Sequence, residues 1–300
     1  MEGNKNKDDK TLKKTKKNKK WCYILSKVWN LETGECLGRT GLSWTKIIFF
    51  YIVFFSLLLL YLCFMMFILH MTLDDYEPKY KLNDSKIGSN PGLGFRPSPP
   101  SEAVLSSVIW FNESRSETIG YWVSKLKDFL EPYHDSSLET CSRNESASRW
   151  RACYFPIPFG NHSCTTEGRF GYYEGKPCVL LKLNNIFDWI PIPYLEPPSE
   201  LRDVLRFPFE QNRVYISCEG ATPSDRDNMG KVEYFPHQGI PMFYYPFTNQ
   251  KQYMSPFLFV QFTSITRGVL VKIECRAWAQ NIAYDKDFKT GGVHFELLVD

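Results

Sequence analysis

Between Ile47 and Leu69 the chain runs for 23 residues with no charge, no glycine and no proline, and Ser56 is its one weakly polar member. At about 1.5 Å per residue a helix of that length reaches roughly 35 Å, enough to cross a hydrocarbon core of about 30 Å with some tilt. A secretory leader has a shorter apolar region near the start of the chain, whereas this run follows 46 residues of unrelated sequence. A buried core helix would show polar positions at helical spacing, and this run is apolar all round. The run predicts one membrane span, with its helix over residues 47–71.

Charge divides sharply across it. Residues 1–46 hold twelve Lys/Arg and five acids, net +7, so the overall +3 leaves −4 for the rest. Lys and Arg are retained on the cytoplasmic side, which predicts a type II protein: residues 1–46 a cytoplasmic tail, the carboxy-terminal portion outside. Four N-x-S/T sequons, at Asn83, Asn112, Asn144 and Asn161, all lie beyond the span, where glycosylation takes place. The nine cysteines divide as well. Cys22 and Cys36 fall inside and Cys63 in the span, while Cys141, Cys153, Cys164, Cys178, Cys218 and Cys275 fall outside. An even set of six in an oxidising compartment predicts three disulfides, with fifteen pairings open from sequence alone.

Nine lysines in the first twenty residues make the amino terminus a solvated tail, or one attracted to anionic inner-leaflet lipid. Residues 72–101 are rich in Pro, Gly and Ser, which suits an extracellular stalk or an extended crossing of the domain surface. Residues 102–300 are expected to form the disulfide-bonded domain. Phe257–Thr263, Gly268–Trp278, Cys178–Asn184, Arg213–Cys218 and Val293–Val299 are β-branched or aromatic runs that predict strands. Lys272, Glu274 and Arg276 alternate with Val271, Ile273, Cys275 and Ala277, so one face of that strand is buried. Two sheets face to face, an immunoglobulin-like sandwich, bury such faces economically. One helix stands apart: Ile119, Trp122, Val123, Leu126, Phe129 and Leu130 share a face, Ser114 and Glu117 have capping-box spacing, and Pro132 marks the end. It is expected to cover one face of the sandwich.

The layout is also that of a lumenal glycosyltransferase, whose metal-bound sugar nucleotide is often held by Asp-x-Asp. Asp225-Arg226-Asp227 and Asp285-Lys286-Asp287 match, but each contains a basic residue and lacks the alternating βα pattern of a nucleotide-binding fold. Neither G-x-S-x-G, H-E-x-x-H nor G-x-x-x-x-G-K-[ST] occurs, and the five histidines are scattered. A catalyst, a cofactor and a nucleic-acid partner are therefore not expected.

The juxtamembrane residues Trp29-Asn30, Leu37-Gly38-Arg39-Thr40 and Trp44 resemble the signature of the β subunits of the Na,K-ATPase and H,K-ATPase family. Phe50-Tyr51-Ile52-Val53-Phe54-Phe55 is similar to that family's FYxxFY. Tyr172–Leu183, Gly230–Phe235, Tyr244-Tyr245-Pro246, Val260–Thr263, Ile273–Ala277 and Asn281-Ile282 continue the resemblance in order. It implies a non-catalytic, plasma-membrane subunit that assembles one to one with a catalytic α subunit, allows it to fold and leave the endoplasmic reticulum, and tunes its affinity for extracellular K⁺. It implies the pairings Cys141–Cys153, Cys164–Cys178 and Cys218–Cys275. It also places α-subunit contact on Phe50, Tyr51, Phe54 and Phe55 in the span and on Tyr244, Tyr245, Pro246 and Phe247 outside it. Alternatives within the resemblance are an H,K-ATPase β subunit or an adhesion glycoprotein that meets other β subunits in trans.

Overall fold

A computed structural model describes residues 29–30, 35–37, 39–100, 106–134, 139–142, 147–148, 151–157, 162–286, 288 and 290–300. The Lys-rich tail lies outside them. The chain divides into two compact units at Asp74. In the first, β1 (Trp29–Asn30) and β2 (Glu35–Cys36) pair antiparallel, and α1 (Gly41–Met71) follows. Helix α1 begins six residues before the apolar run, because Gly41 to Lys46 contains nothing that blocks a helix. It has the length and hydropathy of a membrane span, and none of its residues is buried within the chain.

The second unit is mostly β. A five-stranded sheet has the order β4 (Val108–Phe111), β11 (Gly292–Val299), β10 (Val271–Trp278), β6 (Arg213–Gly220), β8 (Gly239–Pro241). A four-stranded sheet has the order β3 (Leu93–Arg96), β5 (Cys178–Leu183), β9 (Phe257–Phe262), β7 (Val232–Phe235). All pairings are antiparallel except β4 with β11. Strand β10 shows why the pattern works: Val271, Ile273, Cys275 and Ala277 are buried, while Lys272, Glu274 and Arg276 reach solvent. Strand β9 is apolar at every position but Gln261 and is buried along its whole length. The sheets meet where Phe95 of β3 stacks on Phe295 of β11 at 5.1 Å and Phe262 of β9 lies edge-on to the same ring at 6.1 Å.

Strand β3 lies within the segment read as a stalk or an extended crossing of the domain surface. Leu93–Arg96 lies in the Pro- and Gly-rich stretch, yet it pairs with β5 over four residues and buries Leu93. Helix α2 (Ser116–Leu130) buries Ile119, Trp122, Val123, Leu126 and Leu130, and its half-buried Phe129 meets Phe257 of β9. Its start differs from the expected capping box. Arg115 is the N-cap and offers no side-chain bond, so Ser114 does not cap. Asn112 organises the entry instead: its Oδ1 accepts the Ser114 N–H at 2.9 Å, and its own N–H is donated to Thr118 Oγ1 at 3.1 Å.

Two short helices complete the unit, α3 (Ser199–Val204) and α4 (Pro223–Met229). Helix α4 carries the capping box that α2 lacks. Thr222 Oγ1 accepts the Asp225 N–H, Asp225 Oδ2 accepts the Thr222 N–H, and Pro223 presets the first turn. Gly230 ends it at φ 68°, where a Cβ would meet the Ser264 carbonyl, so this exit requires glycine.

Three disulfides bind the unit. Cys141–Cys153 and Cys164–Cys178 close short loops, and Cys218–Cys275 joins β6 to β10 at directly opposed positions. The last lies within one sheet, unlike the inter-sheet bridge of antibody domains.

Candidate functional site

Helix α1 carries the first surface. Residues four apart lie on one helical face, so Phe50 stacks on Phe54 at 6.1 Å and Tyr51 on Phe55 at 6.0 Å. Edge contacts at 5.5 Å between Phe50 and Tyr51, and between Phe54 and Phe55, join the two columns into a four-ring block. Each ring remains about half exposed, from 48% at Phe54 to 61% at Phe50. Beside the block a shallow groove is lined by Trp44, Ile48, Tyr51, Phe55, Ser56 and Leu59. The surface can offer aromatic packing and two hydroxyls, those of Tyr51 and Ser56, and no charged side chain lines it.

The second surface surrounds Tyr244-Tyr245-Pro246-Phe247. A 3₁₀ turn at Met242–Tyr244 brings these residues out of β8. Tyr244 is buried edge-on to Phe155 at 5.0 Å, and Tyr245 is buried edge-on to Trp189 at 5.7 Å. Burial raises the Tyr244 hydroxyl pKa to about 12 against the opposing pull of Arg213, and raises that of Tyr245 well above its ordinary value. Both tyrosines thus face the core, which the clustering of their side chains did not reveal. Pro246 and Phe247 are the half-exposed members of the motif, with Phe243 just before them. Gln250 holds their backbone: its Nε2 donates to the Pro246 carbonyl at 2.9 Å, and its Oε1 accepts the Thr248 N–H at 2.9 Å. An open groove of about 480 Å³ lies alongside, lined by Ile190, Glu210, Arg213, Phe243, Tyr245 and Pro246. Sequence reasoning missed Ile190 and Phe243, although Phe243 directly precedes the tyrosine pair.

The sequons separate by location. Asn83 is exposed in a short turn, and its Oδ1 accepts the Ser89 hydroxyl. Asn112 follows β4 and is half-buried. Asn144 and Asn161 lie outside the described residues.

Of the two Asp-x-Asp matches, the first is described in full and Asp287 of the second lies outside the described residues. Asp225 is committed to the fold, since Oδ2 also accepts the Thr222 hydroxyl at 2.6 Å and Oδ1 accepts the Lys272 N–H of β10 at 3.0 Å. Asp285 Oδ1 accepts the Phe288 N–H in the turn before β11. Among the described residues no group of three or more His, Cys, Asp or Glu side chains converges on one point.

What these elements define is an apolar helix long enough to cross a membrane, followed by a disulfide-bonded, mostly β domain. The sequence profile described as sodium / potassium ATPase beta chain matches residues 13–295, and the chain belongs to that family. It is 36% identical to the sodium/potassium-transporting ATPase subunit beta-2 of Drosophila melanogaster, over 91% of this chain and 90% of that protein. The Drosophila melanogaster subunit beta-1 is 37% identical, over 91% of each. The Homo sapiens subunit beta-2 is 30% identical, over 91% of this chain and 92% of that protein. The chain is a beta chain, the non-catalytic partner in the ATPase, and a single-pass membrane protein.

Proposed function

We propose that this chain is the β subunit of a Na⁺/K⁺ pump, assembled one to one with the catalytic α subunit, and that it supports folding and export of that partner and sets its affinity for extracellular K⁺. The observation that carries this reading is the extent of the match. Residues 13–295 include most of the tail, the span and nearly all of the disulfide-bonded domain, so the likeness is not that of one borrowed module. The excess of Lys and Arg before the span, and the four sequons after it, support a plasma-membrane protein with a cytoplasmic amino terminus. The two packed sheets support an immunoglobulin-like sandwich, with its long-range bridge moved into one sheet.

Within the membrane, contact with the α subunit rests on the four-ring block of Phe50, Tyr51, Phe54 and Phe55. The span has no glycine for close backbone approach, so ring packing must supply the contact. Outside it, contact runs over Pro246 and Phe247 along the groove rim, with Tyr244 and Tyr245 shaping that rim from beneath. Co-expression with a catalytic α subunit, purification through a tag on this chain and K⁺ titration of the ATPase test the reading. One-to-one recovery with a K⁺ affinity that depends on the chain is expected; α subunit that folds and pumps identically without it would overturn the proposal. Changing Phe50, Tyr51 and Phe54 together to Leu is expected to reduce recovery of the α subunit, and unchanged recovery would remove the block from the interface.

A further inference from the structure

The chain has seventeen tyrosines, and the fold leaves few of them open. Outside the span and among the described residues, the strongly exposed ones are Tyr76, Tyr80 and Tyr173, at 66%, 63% and 43%. Their surroundings differ in charge. Tyr76 follows Asp74 and Asp75 and precedes Glu77, which pairs with Lys81 at 2.7 Å, so its acidic flank is mainly the one before it. Tyr80 stands between Lys79 and Lys81, and Tyr173, within the 3₁₀ turn Arg169–Glu174, lies under the Arg169 guanidinium at 4.6 Å. From Thr72 to Lys81 the backbone forms neither helix nor strand, so the segment around Tyr76 can extend into an enzyme's cleft by opening the partly exposed Glu77–Lys81 pair, without unfolding an element.

We infer that Tyr76 is a site of tyrosine O-sulfation in the secretory pathway. A sulfotransferase must hold a polyanionic activated-sulfate donor, the mixed anhydride of sulfate and a nucleotide phosphate, so its cleft is basic. An acidic stretch beside the acceptor complements that field, whereas flanking lysines oppose it. In the reaction the Tyr76 phenolic oxygen attacks the sulfur of the donor. The sulfur–oxygen bond to the nucleotide phosphate breaks, the phosphate leaves with the electron pair, and a base on the transferase takes the phenolic proton. The product is an aryl sulfate ester, heavier by about 80 Da and carrying one permanent negative charge, with no change in oxidation state. Tyr80, four residues away and equally exposed, is an internal control with the opposite flanks.

The inference rests on the type II reading, because the donor and the transferase act in the lumen. The full chain, co-expressed with a catalytic α subunit in secretory cells fed labelled inorganic sulfate, tests both. After enzymatic removal of glycans, label is expected in the Tyr76 peptide, resistant to phosphatase and lost in acid. Tyr76→Phe should abolish it, Tyr80→Phe should preserve it, and Asp74→Asn with Asp75→Asn and Glu77→Gln should remove most of it while sequon occupancy is unchanged. A glycosylated chain with unmodified Tyr76, with label confined to glycans, or with a phosphatase-sensitive mass gain overturns the inference and spares the topology. A chain with neither glycan nor sulfate overturns the topology and the inference together.

Discussion

Asp225 shows how one side chain can carry two readings. Its Asp-x-Asp spacing invites a metal, but the carboxylate closes the cap of α4 and holds the first residues of β10 through the Lys272 N–H. Burial alone would raise its pKa, yet the bonds from the Thr222 hydroxyl and from the Lys272 and Thr222 N–H groups hold it below the ordinary 3.8. A folded value below the unfolded one means that its stabilisation is complete above about pH 4 and is lost as pH falls through the folded value. Asp225→Ala is expected to cost about 2 kcal/mol, because it orphans backbone donors, and to flatten the acid limb of a denaturation curve measured against pH. The spacing Thr222-x-x-Asp225 with Pro223 is a helix-start pattern that went unread beside the metal motif, and the structure shows that it is the one in use. The orientation of Tyr244 and Tyr245 was not legible. Clustered tyrosines suit an interface, an aromatic cluster in a β domain is more often core, and the positions of Phe155 and Trp189 decide between them.

At the scale of elements, legibility followed burial. Strand β10 alternates and β9 is apolar throughout, so each announces itself; β3, β7 and β8 have three or four residues next to Pro or Gly and depend on their neighbours for identity. Helix α2 was legible from its buried stripe, but its first turn was not, because Asn112 rather than Ser114 organises it. The bridges act at this scale. Cys218–Cys275 spans 57 residues and ties the central strand β10 of the five-stranded sheet to its neighbour β6. In the chain-entropy view it stabilises by about 4 kcal/mol, and the two shorter loops by about 3 kcal/mol each. The double variant Cys218→Ser with Cys275→Ser should therefore lose more stability in denaturant than Cys164→Ser with Cys178→Ser. Reduction of all three is expected to abolish K⁺ occlusion by the assembled pump; full occlusion after verified loss of the bridges would show that the sheets hold without them.

Across the whole molecule, the average values describe no actual part. A net charge of +3 is +7 before the span and −4 from Ile47 onward, an asymmetry that supports the proposed cytoplasmic amino terminus. Replacing the nine lysines of the first twenty residues by Gln should let a fraction of chains insert in reverse, read as chains that lack glycans and whose carboxy-terminal domain is digested from the cytosolic side. Uniform glycosylation of that variant would assign orientation to the span or to the domain behind it. The rest of the whole-molecule plan, in which two sheets share one core, could be inferred from strand patterning only as a class. The order of strands, and the parallel pairing of β4 with β11, depend on contacts between residues nearly two hundred positions apart.

Arg276 of β10 lies 3.6 Å from the Trp278 ring and 4.5 Å from that of Tyr284, and also pairs with Glu200 at 2.8 Å. A cation held against an indole stabilises the fold modestly, but it also perturbs how that indole emits light. Trp122, Trp189 and Trp278 are all buried, so unfolding should shift the chain's fluorescence to longer wavelength without any introduced dye. Arg276→Met should alter the emission of the folded protein while leaving that of the unfolded chain unchanged. The sheet thus contains its own optical gauge.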